Sequence, residues 1–92
     1  MKTGAYMDND TIVTKVNAAL AEEFELEQAA LVPDAKIRDD LGLDSLDIVD
    51  MVIVLEKAFD FKLQNKESLA AIRTLGDIYT FIGELRDAGT IR

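Results

Sequence analysis

Residues 44–59, DSLDIVDMVIVLEKAF, carry apolar side chains in two separate stripes, and this pattern limits the possible folds strongly. An α-helix turns by about 100° per residue, so residues three and four apart share a face. The first stripe contains Ile48, Val52, Leu55 and Phe59, with Met51 alongside, and the second contains Leu46, Val49 and Ile53. The two stripes are centred more than about 90° apart, and one packed side of a helix cannot bury both. We expect the first stripe to face the core.

The second stripe allows two interpretations. The long loop that precedes the helix could cover it, which would make it part of the core. Alternatively it stays partly exposed, flanked by Asp50, Glu56 and Lys57, as a protein recognition surface with an acidic rim would be. The sequence leaves both open.

The rest of the chain also predicts helices, and no segment is a convincing strand. A first helix near residues 10–24 is indicated by Ile12, Val16, Ala19, Leu20 and Phe24 at helical spacing, with Asp8 or Asp10 as the cap. A last helix begins at Thr74, with Asp77 in the capping-box position and Gly89 near its end; its apolar face contains Leu75, Ile78, Ile82 and Leu85. Residues 66–72, KESLAAI, allow one short helix. We therefore predict an all-α fold with three longer helices and one short helix.

A long loop separates the first two longer helices. Pro33 and Gly42 interrupt its regularity, and five apolar residues are expected to anchor it to the core: Leu26, Leu31, Val32, Ile37 and Leu41. Loops of this length in small domains are more often functional than idle.

Ser45 is predicted at the first position of the second helix. Asp44 suits the N-cap, and Asp47 stands three residues later as a variant of the capping box. Free backbone N–H groups and the helix dipole favour a negative group at such a position, although the two aspartates oppose it. A serine here is otherwise explained by ordinary helix-start chemistry.

Composition and charge limit the number of domains and the classes of partner that this chain can have. The 92 residues fit one domain, 1–92, and the order of residues 1–7 is left open. The net charge of −8 argues against nucleic acid, and residues 39–60 hold seven acids and one base. That concentration is either a solvated acidic face or a field that steers a basic partner. No apolar run reaches the roughly 20 residues that span a bilayer, and MKTGAYMDND is not a secretory signal, so we expect a cytoplasmic protein.

The chain contains neither histidine nor cysteine, so the reactive groups of any catalysis would have to come from another molecule. A serine nucleophile needs a nearby base, and the nearest lysine after Ser45, Lys57, lies three turns further along the helix. A calcium-binding loop needs an oxygen ligand at its first position and glycine at its sixth; a loop starting at Asp8 has Val13 sixth, and one with Gly42 sixth has Ile37 first. We expect no metal site and no enzyme activity.

The longer stretch DDLGLDSLDIVDMVIVLEKAF resembles the acyl carrier protein family over about 70 residues, from Thr11 to Arg86. The resemblance implies a free-standing four-helix bundle in which Ser45, with Asp44 and Leu46 of the motif, carries 4′-phosphopantetheine. A phosphopantetheinyl transferase would transfer this group from coenzyme A, and its thiol would carry acyl intermediates as thioesters.

The resemblance also assigns roles along the second helix and beyond it. Docking on basic patches of acyl-transferring, condensing or modifying enzymes would use Leu46, Asp47, Val49, Asp50, Ile53 and Glu56. An acyl chain would withdraw among Val52, Leu55, Phe59, Ile72 and Ile78. A monomer without stable membrane insertion is implied.

Some residues depart from the family pattern. Lys57 and Ala58 stand where acids are frequent, Gln64 where proline is usual, and Leu43 replaces a small residue. The implied pathway is fatty-acid or related lipid or polyketide biosynthesis, and these departures favour a specialised carrier over one that serves the general fatty-acid pool. An aminoacyl or peptidyl carrier and an unmodified helical interaction domain remain alternatives.

Overall fold

The computed structural model describes residues 8–62 and 71–89. In these ranges the chain forms three α-helices, labelled α1 (Asn9–Phe24), α2 (Ser45–Phe59) and α3 (Leu75–Asp87), with a 3₁₀ turn at Gln28–Ala30 and no β-strand. The all-α prediction is confirmed. The first seven residues and most of the short helix predicted at residues 66–72 lie outside the described residues, so the count of four helices stays a prediction. None of the described helices has both the length and the apolar character needed to cross a bilayer.

Each helix begins at a side chain that caps its first backbone N–H groups. The Thr11 N–H donates to Oδ1 of Asp8 at 2.9 Å, so Asp8 caps α1 and Asp10 lies within the first turn. Asp44 caps α2 and Thr74 caps α3, and both belong to capping boxes. These caps explain why the helix starts could be read from the sequence.

α1 and α2 each end at a residue with left-handed backbone geometry. Glu25 (φ 55°) and Asp60 (φ 56°) follow the last helical residues, and their N–H groups donate to carbonyls four residues earlier. The chain after α3 turns at Gly89 (φ 81°), as predicted. Glycine adopts this conformation at no steric cost, whereas Glu25 and Asp60 adopt it at a penalty.

The core lies where α1 packs against both α2 and α3. It is almost purely aliphatic in its centre. Its helical members are Ile12, Val16 and Leu20 of α1, Met51, Leu55 and Phe59 of α2, and Leu75, Ile78 and Ile82 of α3. The first apolar stripe of α2 is thus the core face, as expected, although Ile48 is only half-buried.

The loop between α1 and α2 is pinned by aliphatic side chains. Leu31, Ile37 and Leu41 are buried and Leu26 is half-buried. The prediction was wrong for Val32, whose side chain is 47% exposed. Val32 follows the buried Leu31 in a non-helical segment, where neighbouring side chains point in different directions. Ala35 and Leu43 are buried instead, which the sequence pattern did not indicate.

The same loop is tied to the start of α3 by backbone hydrogen bonds. The Leu75 N–H donates to the Ala35 carbonyl at 2.9 Å, and Lys36 and Thr74 form an isolated antiparallel bridge. The Gly76 N–H donates to the Pro33 carbonyl at 2.8 Å. A Cβ atom at Gly76 would lie 3.1 Å from that oxygen, so glycine permits this close approach.

Candidate functional site

Ser45 is the first residue of α2 and is exposed to solvent. The loop places it there by anchoring the chain just before it. Leu41 and Leu43 are buried on either side of Gly42, which has φ 74°, and the Leu43 N–H donates to the Ile37 carbonyl at 3.0 Å. With Leu43 fixed in the core, the next two residues emerge at the surface.

A reciprocal pair of hydrogen bonds sets the geometry around Ser45. The Asp47 N–H donates to Oδ1 of Asp44 at 3.0 Å, and the Asp44 N–H donates to Oδ2 of Asp47 at 3.2 Å. The predicted N-cap and capping box are confirmed. Both carboxylates are turned toward the backbone, and the Ser45 hydroxyl is left beside them at the helix start.

Ser45 has no histidine base to activate it. Histidine and cysteine are absent from the sequence, and Lys57, twelve residues further along α2, is about 18 Å away along the helix axis. In the part of the chain that the structure describes, no group of three acidic side chains could hold a metal ion.

The second apolar stripe of α2 faces solvent. Leu46 is 77% exposed, Val49 50% and Ile53 44%. The loop therefore does not cover the stripe, and the partial exposure given by the second interpretation is confirmed; its role in recognition stays a prediction. We call these three residues the exposed strip.

Acidic side chains surround the exposed strip. Asp50 is exposed, and Asp47 and Glu56 are partly exposed. A groove of about 510 Å³ between α1 and α2 continues from Ile53 and Asp50 to Glu22 and Glu23, with Lys57 as its one base among the described residues. Of the six residues predicted for docking, Leu46, Val49, Asp50 and Ile53 are thus exposed, and Asp47 and Glu56 are partly exposed.

The five residues predicted to line an acyl pocket are all buried. Leu55, Phe59, Ile72 and Ile78 belong to the core, and Val52 is 5% exposed. The Lys15 ammonium lies 5.1 Å from the centre of the Phe59 ring, a cation–π distance. A role for these residues in holding an acyl chain stays a prediction.

A groove that the sequence did not indicate lies beside Ile48, three residues after Ser45 in α2. It has a volume of about 640 Å³ and runs between residues 36–39 and 72–74, with Ile48 of α2 at its side. Its charged lining residues are Lys36, Arg38, Arg73 and Asp39. We call it the cationic groove. The bases come together because the bridge between Lys36 and Thr74 pairs segments far apart in sequence.

Two side chains outside the site have shifted pKa values. The N–H groups of Arg73 and Thr74 donate to Oδ2 of Asp77 at 2.9 and 3.1 Å, and these bonds lower the pKa of Asp77. Burial raises the pKa of Tyr79, which donates a hydrogen bond to Asn17.

Comparison with known proteins agrees with this geometry. Residues 14–82 match the family described as "Phosphopantetheine attachment site". The acyl carrier protein of Borreliella burgdorferi (strain ZS7) is 37% identical over 76 residues, covering 83% of this chain and 94% of that protein. The acyl carrier protein of Syntrophobacter fumaroxidans is 33% identical over 82 residues, covering 89% of this chain and all of that protein.

The chain belongs to the acyl carrier protein family. As an acyl carrier protein it carries a covalently attached 4′-phosphopantetheine and is a carrier, not an enzyme. When bound, the group supplies the thiol that the chain itself lacks. The exposed hydroxyl at the start of α2 fits such a group, because a phosphoester there would lie in solvent at the positive end of the helix dipole. Biosynthetic enzymes are the partners that an acyl carrier protein serves.

Proposed function

We propose that Ser45 is the attachment residue and that Asp44 and Leu46 complete its motif. The observation that carries this proposal is the exposed Ser45 hydroxyl at the first position of α2, held there by the capping box of Asp44 and Asp47. In the transfer, the Ser45 oxygen bonds to the phosphorus that bears the pantetheine. The bond from that phosphorus to the nucleotide part of coenzyme A breaks, and the serine proton passes to a base of the transferase.

The test is the intact mass after incubation with coenzyme A and a broad-specificity phosphopantetheinyl transferase. The parent should gain one phosphopantetheine, Ser45→Ala should gain none, and Ser68→Ala, which changes the other serine of the chain, should load as the parent does. A gain of mass in Ser45→Ala would refute the assignment. An active transferase that loads a control carrier but not the parent would refute it as well.

The exposed strip and its acidic neighbours are proposed as the docking surface for the transferase and for the enzymes that exchange acyl groups. Three apolar side chains without cover offer the contact area, and the surrounding carboxylates fit a partner with lysine and arginine side chains. Binding of this kind is fast and is weakened by salt.

The far end of this surface points to a specialised carrier for lipid or polyketide synthesis. Lys57 is exposed beside Ile53 and Asp50, so a base interrupts the acidic surface there. A partner that complements a uniformly acidic helix would meet a like charge at this position. A reconstituted housekeeping fatty-acid synthase whose own carrier is replaced by this protein should synthesise fatty acids slowly. A rate equal to that with its own carrier would contradict specialisation. Single-domain organisation, a monomeric state and a cytoplasmic location stay predictions from the sequence.

A further inference from the structure

The groove between α1 and α2 brings acidic side chains of both helices together. Glu22 and Glu23 line it from α1 and Asp50 lines it from α2, and all three are exposed. Lys57 lines it as well, but within the described residues Lys57 forms no ion pair with any of these carboxylates. We call this site the acidic groove. Its negative charge is therefore available to a cation from another molecule.

The sides of the acidic groove are apolar. Ala19 of α1 and Val54 and Ala58 of α2 are half-buried along it, and Ile53 also lines it. The two alanines put short side chains on two packed helices, which leaves an open volume of about 510 Å³. A long side chain can thus lie against carbon atoms while its end reaches a carboxylate.

Ile53 joins the acidic groove to the exposed strip. Its side chain belongs to the strip with Leu46 and Val49, and it also lines the groove. An enzyme that covers the strip as far as Ile53 therefore lies beside the groove, where the carboxylates of α1 are within its contact area.

The lining chemistry favours arginine as the occupant of the acidic groove. In the described part of the chain no three acidic side chains converge to hold a metal ion. An apolar side chain would take water from the carboxylates and return no hydrogen bond. Arginine packs its methylene groups on apolar surface, and its guanidinium donates two parallel N–H groups to a carboxylate, which a lysine ammonium cannot do.

We propose that the docking surface extends from α2 onto α1, and that an enzyme docked on the exposed strip inserts an arginine side chain into the acidic groove. The phosphopantetheinyl transferase is the first such enzyme that the carrier meets. The inference rests on the proposed docking role of the exposed strip.

The experiment measures loading by the phosphopantetheinyl transferase of the organism that makes this carrier, at low salt and with intact mass to verify that the parent loads. Glu22→Gln combined with Glu23→Gln should raise the KM for the carrier about fivefold and leave kcat unchanged, because binding is weakened and the chemical step is not. The matched control, Glu25→Gln combined with Glu27→Gln, makes the same change in net charge outside the groove. Its KM should stay close to that of the parent.

Two further measurements test the space and the occupant. Ala19→Met fills the groove without a change in charge and should also raise the KM, with circular dichroism to verify that the variant folds. With ¹⁵N-arginine in the transferase, one Nε–H signal should shift when the parent binds. The same signal should stay in place when the Glu22→Gln, Glu23→Gln variant binds.

Each other outcome overturns a defined part of the proposal. An unchanged KM for the groove pair, or an equal rise for the control pair, would overturn the contact with α1. An unchanged KM for Ala19→Met would overturn insertion into the groove, and the absence of a shifted Nε–H signal would overturn arginine. Val49→Ala reports on the exposed strip separately: a rise in KM for Val49→Ala alone confines docking to α2, whereas no rise in any variant refutes the docking surface itself.

Discussion

Tyr79 of α3 donates its phenolic hydrogen to Oδ1 of Asn17 in α1, with 2.5 Å between the two oxygens. Asn17 also donates from Nδ2 to the Leu31 carbonyl at 3.5 Å. Both hydrogen bonds are partly buried. One chain of polar groups therefore joins α3, α1 and the loop that carries the chain to Ser45.

Tyr79→Phe should lower the free energy of unfolding by about 1 kcal/mol at pH 7, because the partly buried Asn17 oxygen loses its donor while the ring still packs. Urea unfolding followed by circular dichroism measures this. The pKa of Tyr79 is raised in the folded state, so its contribution is complete below about pH 10 and is lost as the pH rises through the folded value. The stability of Tyr79→Phe should thus approach that of the parent at high pH. Equal stability of the two proteins at pH 7 would show that the hydrogen bond adds nothing.

Asp77→Asn should destabilise the protein at pH 7, because a neutral amide accepts the N–H groups of Arg73 and Thr74 less strongly than a carboxylate. The pKa of Asp77 is lowered by folding, so its contribution is present above about pH 4 and is lost as the pH falls through the folded value. The difference between parent and variant should therefore shrink in acid. Thermal unfolding between pH 7 and pH 2 measures it, with Asp34→Asn in the exposed loop as the control. A difference that stays constant with pH would contradict this account.

Glu25→Gly should raise the free energy of unfolding by about 1 kcal/mol, because glycine adopts the φ of 55° at the end of α1 without the steric penalty of a side chain. Glu23→Gly is the matched control two residues earlier. There the backbone is helical, and glycine should cost about 1 kcal/mol. Urea unfolding of both variants gives the comparison, and a loss of stability at both positions would mean that the Glu25 side chain makes a compensating contact.

Val49→Ala should lower the kcat/KM of the phosphopantetheinyl transferase about fivefold, since about 1 kcal/mol of apolar contact is lost at the docking surface. Folding stability should change by less than about 0.5 kcal/mol because the side chain is half exposed. Val32→Ala removes a valine of similar exposure from the loop and should leave the transferase kinetics as they are. The docking assignment would be refuted by equal kinetics for Val49→Ala and the parent.

The helices and the start of α2 could be predicted because local chemistry determines them. Asp44 and Asp47 lie three residues apart, and a capping box needs nothing else from the chain. The exposure of Val49 could not be predicted in this way. Helical spacing separates the two apolar stripes of α2, but it does not show which of them another part of the chain covers. Val32 was placed wrongly since no periodicity relates sequence to orientation in an irregular loop.

No pattern in the sequence predicted the cationic groove. Arg38 and Arg73 are 35 positions apart, and only the pairing of the loop with the start of α3 brings them to one groove. Backbone hydrogen bonds between distant segments, such as that between Gly76 and Pro33, depend on the whole fold and leave no local pattern.

The two stripes of α2 separate two kinds of evolutionary change. A substitution at a buried residue such as Leu55 alters the stability of the fold and so affects every enzyme that uses the carrier. On the proposed docking role, a substitution at Val49 or Ile53 would alter recognition and leave the fold as it is. With that role, successive changes on one side of a single helix would change which partners bind while the residues on its other side keep the fold.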